Sequence, residues 1–84
     1  MALQKTDNNF IYHKIGGNEV IFEISDEDES GNPLYYGYLS ENGSWIIQQH
    51  NTTTGAYRYK MGQSDYATNW TGRGGLSYVY YNAL

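Results

Sequence analysis

The residues best equipped for chemistry lie in an acidic run. Asp26-x-Asp28-x-Ser30-Gly31 matches the opening of a calcium-binding EF-hand loop at its first, third, fifth and sixth positions. Hard cations want several oxygen ligands, and the glycine permits the sharp turn. The twelfth position of that loop, which should be a bidentate Glu, is Gly37, and the flanks read as strands rather than helices. Residues 26–33 are therefore expected to form a solvated polar loop, the alternative being a weak cation site, and no bound metal is expected. His13 and His50 fall in no metal-ligand spacing, and there is no cysteine to complete a thiolate site. Without a Gly-x-Ser-x-Gly elbow or a triad-like histidine, and with a sheet too thin for a cleft, an enzyme is not expected, and no cofactor is implied. Gly62, Gly72, Gly74 and Gly75 lack the following Gly-Lys-Ser/Thr of a phosphate loop and read as cap and turn glycines. The sequons at Asn42, Asn51 and Asn69 read as polar turns.

The elements that would hold these residues follow from periodicity. Residues 10–15 read as a first strand ended by Gly16-Gly17-Asn18. In 19–25, Val20, Phe22 and Ile24 alternate with Glu19, Glu23 and Ser25, and Ile21 is the one misfit. Leu34 to Ser40 is a tyrosine-rich strand, Asn42-Gly43 a hairpin signal, and Trp45 to Asn51 the return strand with Trp45, Ile47 and Gln49 on one face. Residues 56–61 follow a Thr/Gly turn, with Tyr57, Tyr59 and Met61 inward. Ser64 is read as a helix N-cap with Asp65 in the first turn, and Tyr66, Trp70 and Arg73 share one helical face. Glycines end that helix, and Leu76 to Tyr81 is read as a last strand. The expected fold is mainly β: one domain over 1–84, a small antiparallel meander of four or five strands with one short helix laid on one face, and an arm over 1–9. The expected core is Phe22, Tyr36, Tyr38, Trp45, Ile47, Tyr57, Tyr59, Trp70, Leu76 and Tyr78.

Composition narrows the class of function. The chain has 84 residues, no Cys, ten Tyr and a net charge of −4. A core this small wants large aromatic side chains or burial against neighbours. Seven of the nine acids lie between Glu19 and Glu41, and no Lys or Arg occurs between Lys14 and Arg58. That distribution argues against nucleic acid and against an anionic membrane surface. The N-terminus has no apolar h-region, so no signal peptide is expected. Tyr35, Leu39, Ile46, Val79 and Tyr81 fall outside the expected inward set, and form a candidate interface with copies of the same chain. Surface tyrosines could alternatively stack on sugars; a face sealed by a neighbouring subunit is the favoured reading.

Part of the chain resembles a small β domain of virion structural proteins of tailed bacteriophages. The resemblance rests on Tyr35-Tyr36-Gly37-Tyr38, on Trp45-x-Ile47, on an aromatic strand ending in Gly62, and on the signature Asp65-Tyr66-x-x-x-Trp70-x-x-Arg73-x-x-Leu76-x-Tyr78. It covers just over half the chain and says little of residues 1–33. Gly74-Gly75 stands where that family more often has Ala-Ser. The resemblance implies a virion-associated structural role (capsid decoration, head fibre, neck or tail component), with the chain made in the host cytoplasm and partnered by itself and by other virion proteins. A glycan-recognition module and a regulatory protein free in the cell are the rival classes.

Overall fold

The computed structural model describes residues 9–84. Five strands, β1 (Phe10–Ile15), β2 (Asn18–Asp28), β3 (Leu34–Ser40), β4 (Trp45–His50) and β5 (Tyr57–Gly62), form one antiparallel sheet in sequence order. A six-residue helix, α1 (Tyr66–Thr71), follows, then 3-10 turns at Arg73–Gly75 and Tyr81–Ala83. This is the expected meander with its short helix. The expected arm lies outside the described residues except for Asn9, whose carbonyl accepts a hydrogen bond from the Ile24 amide.

Turn chemistry sets the register. Gly16 (φ 59°) and Gly17 (φ 88°) form a two-residue connection that pairs Ile15 with Asn18. Two positive φ values in succession match the twist of the flanking strands. Between β3 and β4 the Asn42 carboxamide oxygen accepts from Ser40 Oγ (2.6 Å), Ser44 N (3.0 Å) and Ser44 Oγ (2.7 Å). Asn51 caps the next turn in the same way, its Oδ1 accepting from the amides of Thr53 and Thr54.

The sheet is curled, and each face carries its own core. Inside the curl lie Ile11, Phe22, Tyr36, Tyr38, Ile46 and Tyr59, contributed by all five strands, with Tyr81 and Leu84 packed against them. On the outer face Trp45 and Ile47 are 2% and 0% exposed beneath the helix. β4 is thus buried on both sides, and its neighbours β3 and β5 pair along its whole length. This corrects the one-sided reading of that strand. Ile46, expected at an interface, is 0% exposed because the curl encloses it beside Tyr38 and Met61.

Three further expectations are corrected. Residues 26–28 belong to β2 rather than to a loop, because a bulge between Ile24 and Asp26 lets the strand continue. Leu76 to Tyr81 is not a strand: only Val79 bridges to Tyr59, and the chain then turns into a 3-10 helix. Gly74 and Gly75 sit within a 3-10 turn just before this stretch, which leaves it too short and too bent to form a ladder. Tyr57, expected inside, is 46% exposed at the open rim of the curl, where its ring stacks on His50.

Candidate functional site

The signature residues meet on the outer face of the sheet, and the bulge in β2 is what brings their partners there. Side chains alternate between faces, so one extra residue exchanges the faces of everything beyond it. Before the bulge, Val20, Phe22 and Ile24 face the curled core; beyond it, Asp26 and Asp28 lie on the outer side, paired with Gly37 and Tyr35. Both carboxylates then anchor the helix segment. Tyr66 donates its hydroxyl proton to Asp26 Oδ2 at 2.8 Å, and Arg73 Nη2 meets Asp28 Oδ2 at 2.6 Å. The acidic run does hold a cation, and the cation is an arginine.

Arg73 organises the rest. Its Nη1 donates to the Trp70 carbonyl at 2.8 Å, and its guanidinium lies 4.4 Å from the Trp70 ring centroid and 5.6 Å from that of Tyr35. Tyr78 donates its hydroxyl to the Arg73 carbonyl at 2.7 Å and places its ring 6.1 Å from Tyr35. Tyr66 stacks with Trp70 at 6.2 Å and touches Trp45 at 6.4 Å. Glycines under these rings allow the close approach. A Cβ at Gly37 would collide with the Tyr66 hydroxyl and lie 3.0 Å from Trp70 Cε3, while one at Gly62 would collide with the Trp45 ring. Trp45 is further pinned by Nε1 donating to the Ser64 carbonyl at 2.6 Å.

Electrostatics follow from these contacts. Hydrogen bonds from the Ser30 hydroxyl, then from Arg73 and the Ser30 amide, hold the Asp28 carboxyl down at about 2. Burial, reinforced by the hydrogen bond to Asp26, pushes the Tyr66 phenol above its ordinary value, and burial does the same to Tyr78. Among the described residues, no three His, Cys, Asp or Glu side chains converge to hold a metal ion. His13 instead pairs its Nδ1 with the Tyr81 hydroxyl at 3.0 Å.

Not every signature residue joins the cluster. Asp65, rather than Ser64, is the N-cap; it sits in the left-handed region (φ 61°) and makes no side-chain cap. Its carbonyl accepts from both the amide and the carboxamide of Asn69. Trp70, Leu76 and Tyr78 are half-buried rather than core residues; Trp70 lies on a six-residue helix, and Leu76 and Tyr78 follow the 3-10 turn after it. Of the candidate interface, Tyr35 lies beside Tyr78 and Arg73, and Tyr81 packs against the curled core with its ring 5.1 Å from Tyr59. Val79 is 39% exposed, and Leu39 is half-buried.

The helix-bearing segment covers only part of the outer face. Over β1 and β2 that face carries Tyr12, 45% exposed, directly opposite Ile21, 48% exposed. Phe10 packs near Tyr12 at 6.4 Å, and Leu39 lies across from Glu23 on β3. Of this patch sequence reasoning singled out Leu39 alone, although the misfit of Ile21 in an otherwise regular alternation was a signal for the rest. Comparison with family models, with curated proteins and with solved structures found no match to this chain.

Proposed function

We propose that this chain is a structural subunit of a tailed-bacteriophage virion, made in the host cytoplasm and acting through protein-protein contacts rather than catalysis. The observation that carries the reading is the outer face of β1 and β2, uncovered by any other described residues at Tyr12 and Ile21, which stand out as an opposed pair near Leu39. Large apolar side chains grouped on a sheet face mark contact surfaces more often than bare solvent boundaries. Among the described strands β1 is also terminal in the sheet, and edge strands are natural places for an assembly to continue. The resemblance of residues 65–78 to virion proteins supplies the class of assembly. In this reading the signature residues build and brace the outer face, and the neighbours are copies of the chain and other virion proteins. Mass spectrometry of purified particles tests it: the chain is expected as a stoichiometric component, and its absence from particles that assemble normally would refute the proposal.

A glycan-binding reading draws on a different spot. Tyr57 stacks on His50 with ring centroids 4.1 Å apart, and Tyr80 is 64% exposed with the Arg58 guanidinium 4.0 Å from its ring. Aromatic faces of this kind can take a sugar ring. A glycan array on the isolated protein decides it, since specific binding abolished by Tyr57→Ala would favour this second reading.

A further inference from the structure

We propose that the outer face of β2 and β3 is a docking groove for a basic, aliphatic segment of a partner protein. The inference rests on the contact-protein reading and names the chemistry of the contact. Glu19, Ile21 and Glu23 lie at alternate positions of β2 before the bulge, so they share the outer face. With Leu39, Glu41 and Asn42 they line an open groove of about 570 Å³. Within it Ile21 is 48% exposed, and all three glutamates are exposed.

The glutamates stand apart from the folding machinery. Asp26 and Asp28 are engaged by Tyr66 and Arg73, whereas Glu19, Glu23 and Glu41 form no ion pair among the described residues. They do not converge as a metal site either. Carboxylates spaced on either side of an exposed isoleucine match spaced cations with an aliphatic side chain between them. At about 3.3 Å per residue, Glu19 and Glu23 are roughly 13 Å apart. An extended partner reading Lys-x-Ile-x-Lys has the same spacing, with its isoleucine over Ile21. A second copy of this chain is the poorer occupant. It carries a net charge of −4, and Lys14 is its only Lys or Arg between residues 6 and 57. Like-charged surfaces brought together lose affinity, and complementary ones gain encounter rate and register.

The test uses the full chain and a synthetic probe, acetyl-Ser-Lys-Thr-Ile-Thr-Lys-Ser-amide, followed by amide NMR shifts at low salt. Saturable shifts confined to residues 19–23 and 39–42 are expected. Binding should weaken about 3–10-fold in a Glu19→Gln/Glu23→Gln variant, the size expected for two exposed ion pairs. It should weaken again in Ile21→Ser, and on adding salt. Both substitutions lie on an exposed face, and unchanged shifts elsewhere in the spectrum verify the fold. The proposal is overturned if the probe gives no saturable shift, or if a control with both lysines replaced by glutamate binds as well. It is also overturned if the same amides shift with protein concentration alone, which would assign the groove to a second copy. Each of these results leaves the virion reading standing, because that reading falls only if the chain is missing from particles.

Discussion

Replacing Gly37 by alanine adds one methyl group at the point where the helix segment touches the sheet. The new Cβ would occupy the place of the Tyr66 hydroxyl, with Tyr66 Cζ at 2.9 Å and Trp70 Cε3 at 3.0 Å. Gly37 has no positive φ, so alanine is conformationally acceptable and the effect is purely steric. Where space allows, Gly→Ala in a strand stabilises by about 0.4–1 kcal/mol through the unfolded chain. Here the methyl must displace two rings held from several sides: Tyr66 by Asp26 and Trp45, Trp70 by Arg73. Overpacking of this kind costs about 1–3 kcal/mol, and losing the Tyr66 hydrogen bond adds about 1 kcal/mol. The net expectation is a loss of about 2–3 kcal/mol, or roughly 10–20 °C in Tm for a domain of this size. Thermal and urea melts measure it, with Gly31→Ala as the control, since a Cβ at Gly31 meets nothing within 4 Å. A double-mutant cycle sharpens the test. Tyr66→Phe removes the atom that collides, so the pair Gly37→Ala/Tyr66→Phe should recover about 0.5–1 kcal/mol relative to the sum of the singles. A Gly37→Ala protein that melts at or above the native temperature would refute the cradle, and so would strict additivity with Tyr66→Phe.

Other outcomes follow from the same geometry. Tyr38 is 0% exposed and its hydroxyl is buried without a partner among the described residues, so Tyr38→Phe should gain about 1 kcal/mol, or roughly 4–8 °C in Tm; a loss would contradict this reading of the hydroxyl. Asp28 is held down at about 2, below the ordinary carboxylate value near 3.9, so its contribution is complete above about pH 4 and lost as pH falls toward about 2. Acid titration of Tm in Asp28→Asn should lack that part of the native decline. Tyr36, Tyr38, Tyr66 and Tyr78 are all pushed above the ordinary phenol value, chiefly by burial, so the fold favours their neutral form. Stability should therefore hold to about pH 10 and fall as pH rises further, and an absorbance change corresponding to ionisation of all ten tyrosines in a still-folded protein at about pH 10.5 would contradict it.

The strands were legible where alternation and turn chemistry agreed. Val20-x-Phe22-x-Ile24 and the two Gly-containing hairpin turns led to the observed ladder. The acidic run was not legible, because a bulge interrupts alternation and makes Ser25-Asp26-Glu27-Asp28 look like loop. Hence its carboxylates read as candidate cation ligands, whereas their partners are Tyr66 and Arg73, 40 and 45 residues away. An isolated glycine inside the tyrosine strand was the sign of a close approach at Gly37. Burial of β4 on both faces could not be read from its own sequence. Trp45-Ile46-Ile47-Gln48 has no alternation to read, and which face is covered depends on the curl and on the helix.

The curl in turn depends on the chain's last residues, and it explains why one part of the surface is left open. A flat five-stranded sheet would expose one face entirely. Here Tyr81 reaches both outer strands, hydrogen-bonding His13 on β1 and setting its ring edge-on to Tyr59 on β5, while Val79 pairs with the Tyr59 backbone. The C-terminal segment therefore closes the inner face and covers part of the β5 edge in one pass. The helix segment, tied to Asp26 and Asp28, then lies over β3 and β4 on the outer face. Among the described residues, neither device covers the outer side of β1 and β2, where the exposed Tyr12 and Ile21 sit opposite each other. If the inner face is closed by this clasp, Tyr81→Ala should loosen the curl and weaken the protection of β1 and β5 amides from hydrogen exchange before that of β3 and β4. Uniform loss of protection across all five strands would mean that Tyr81 supports the whole sheet rather than joining its two ends.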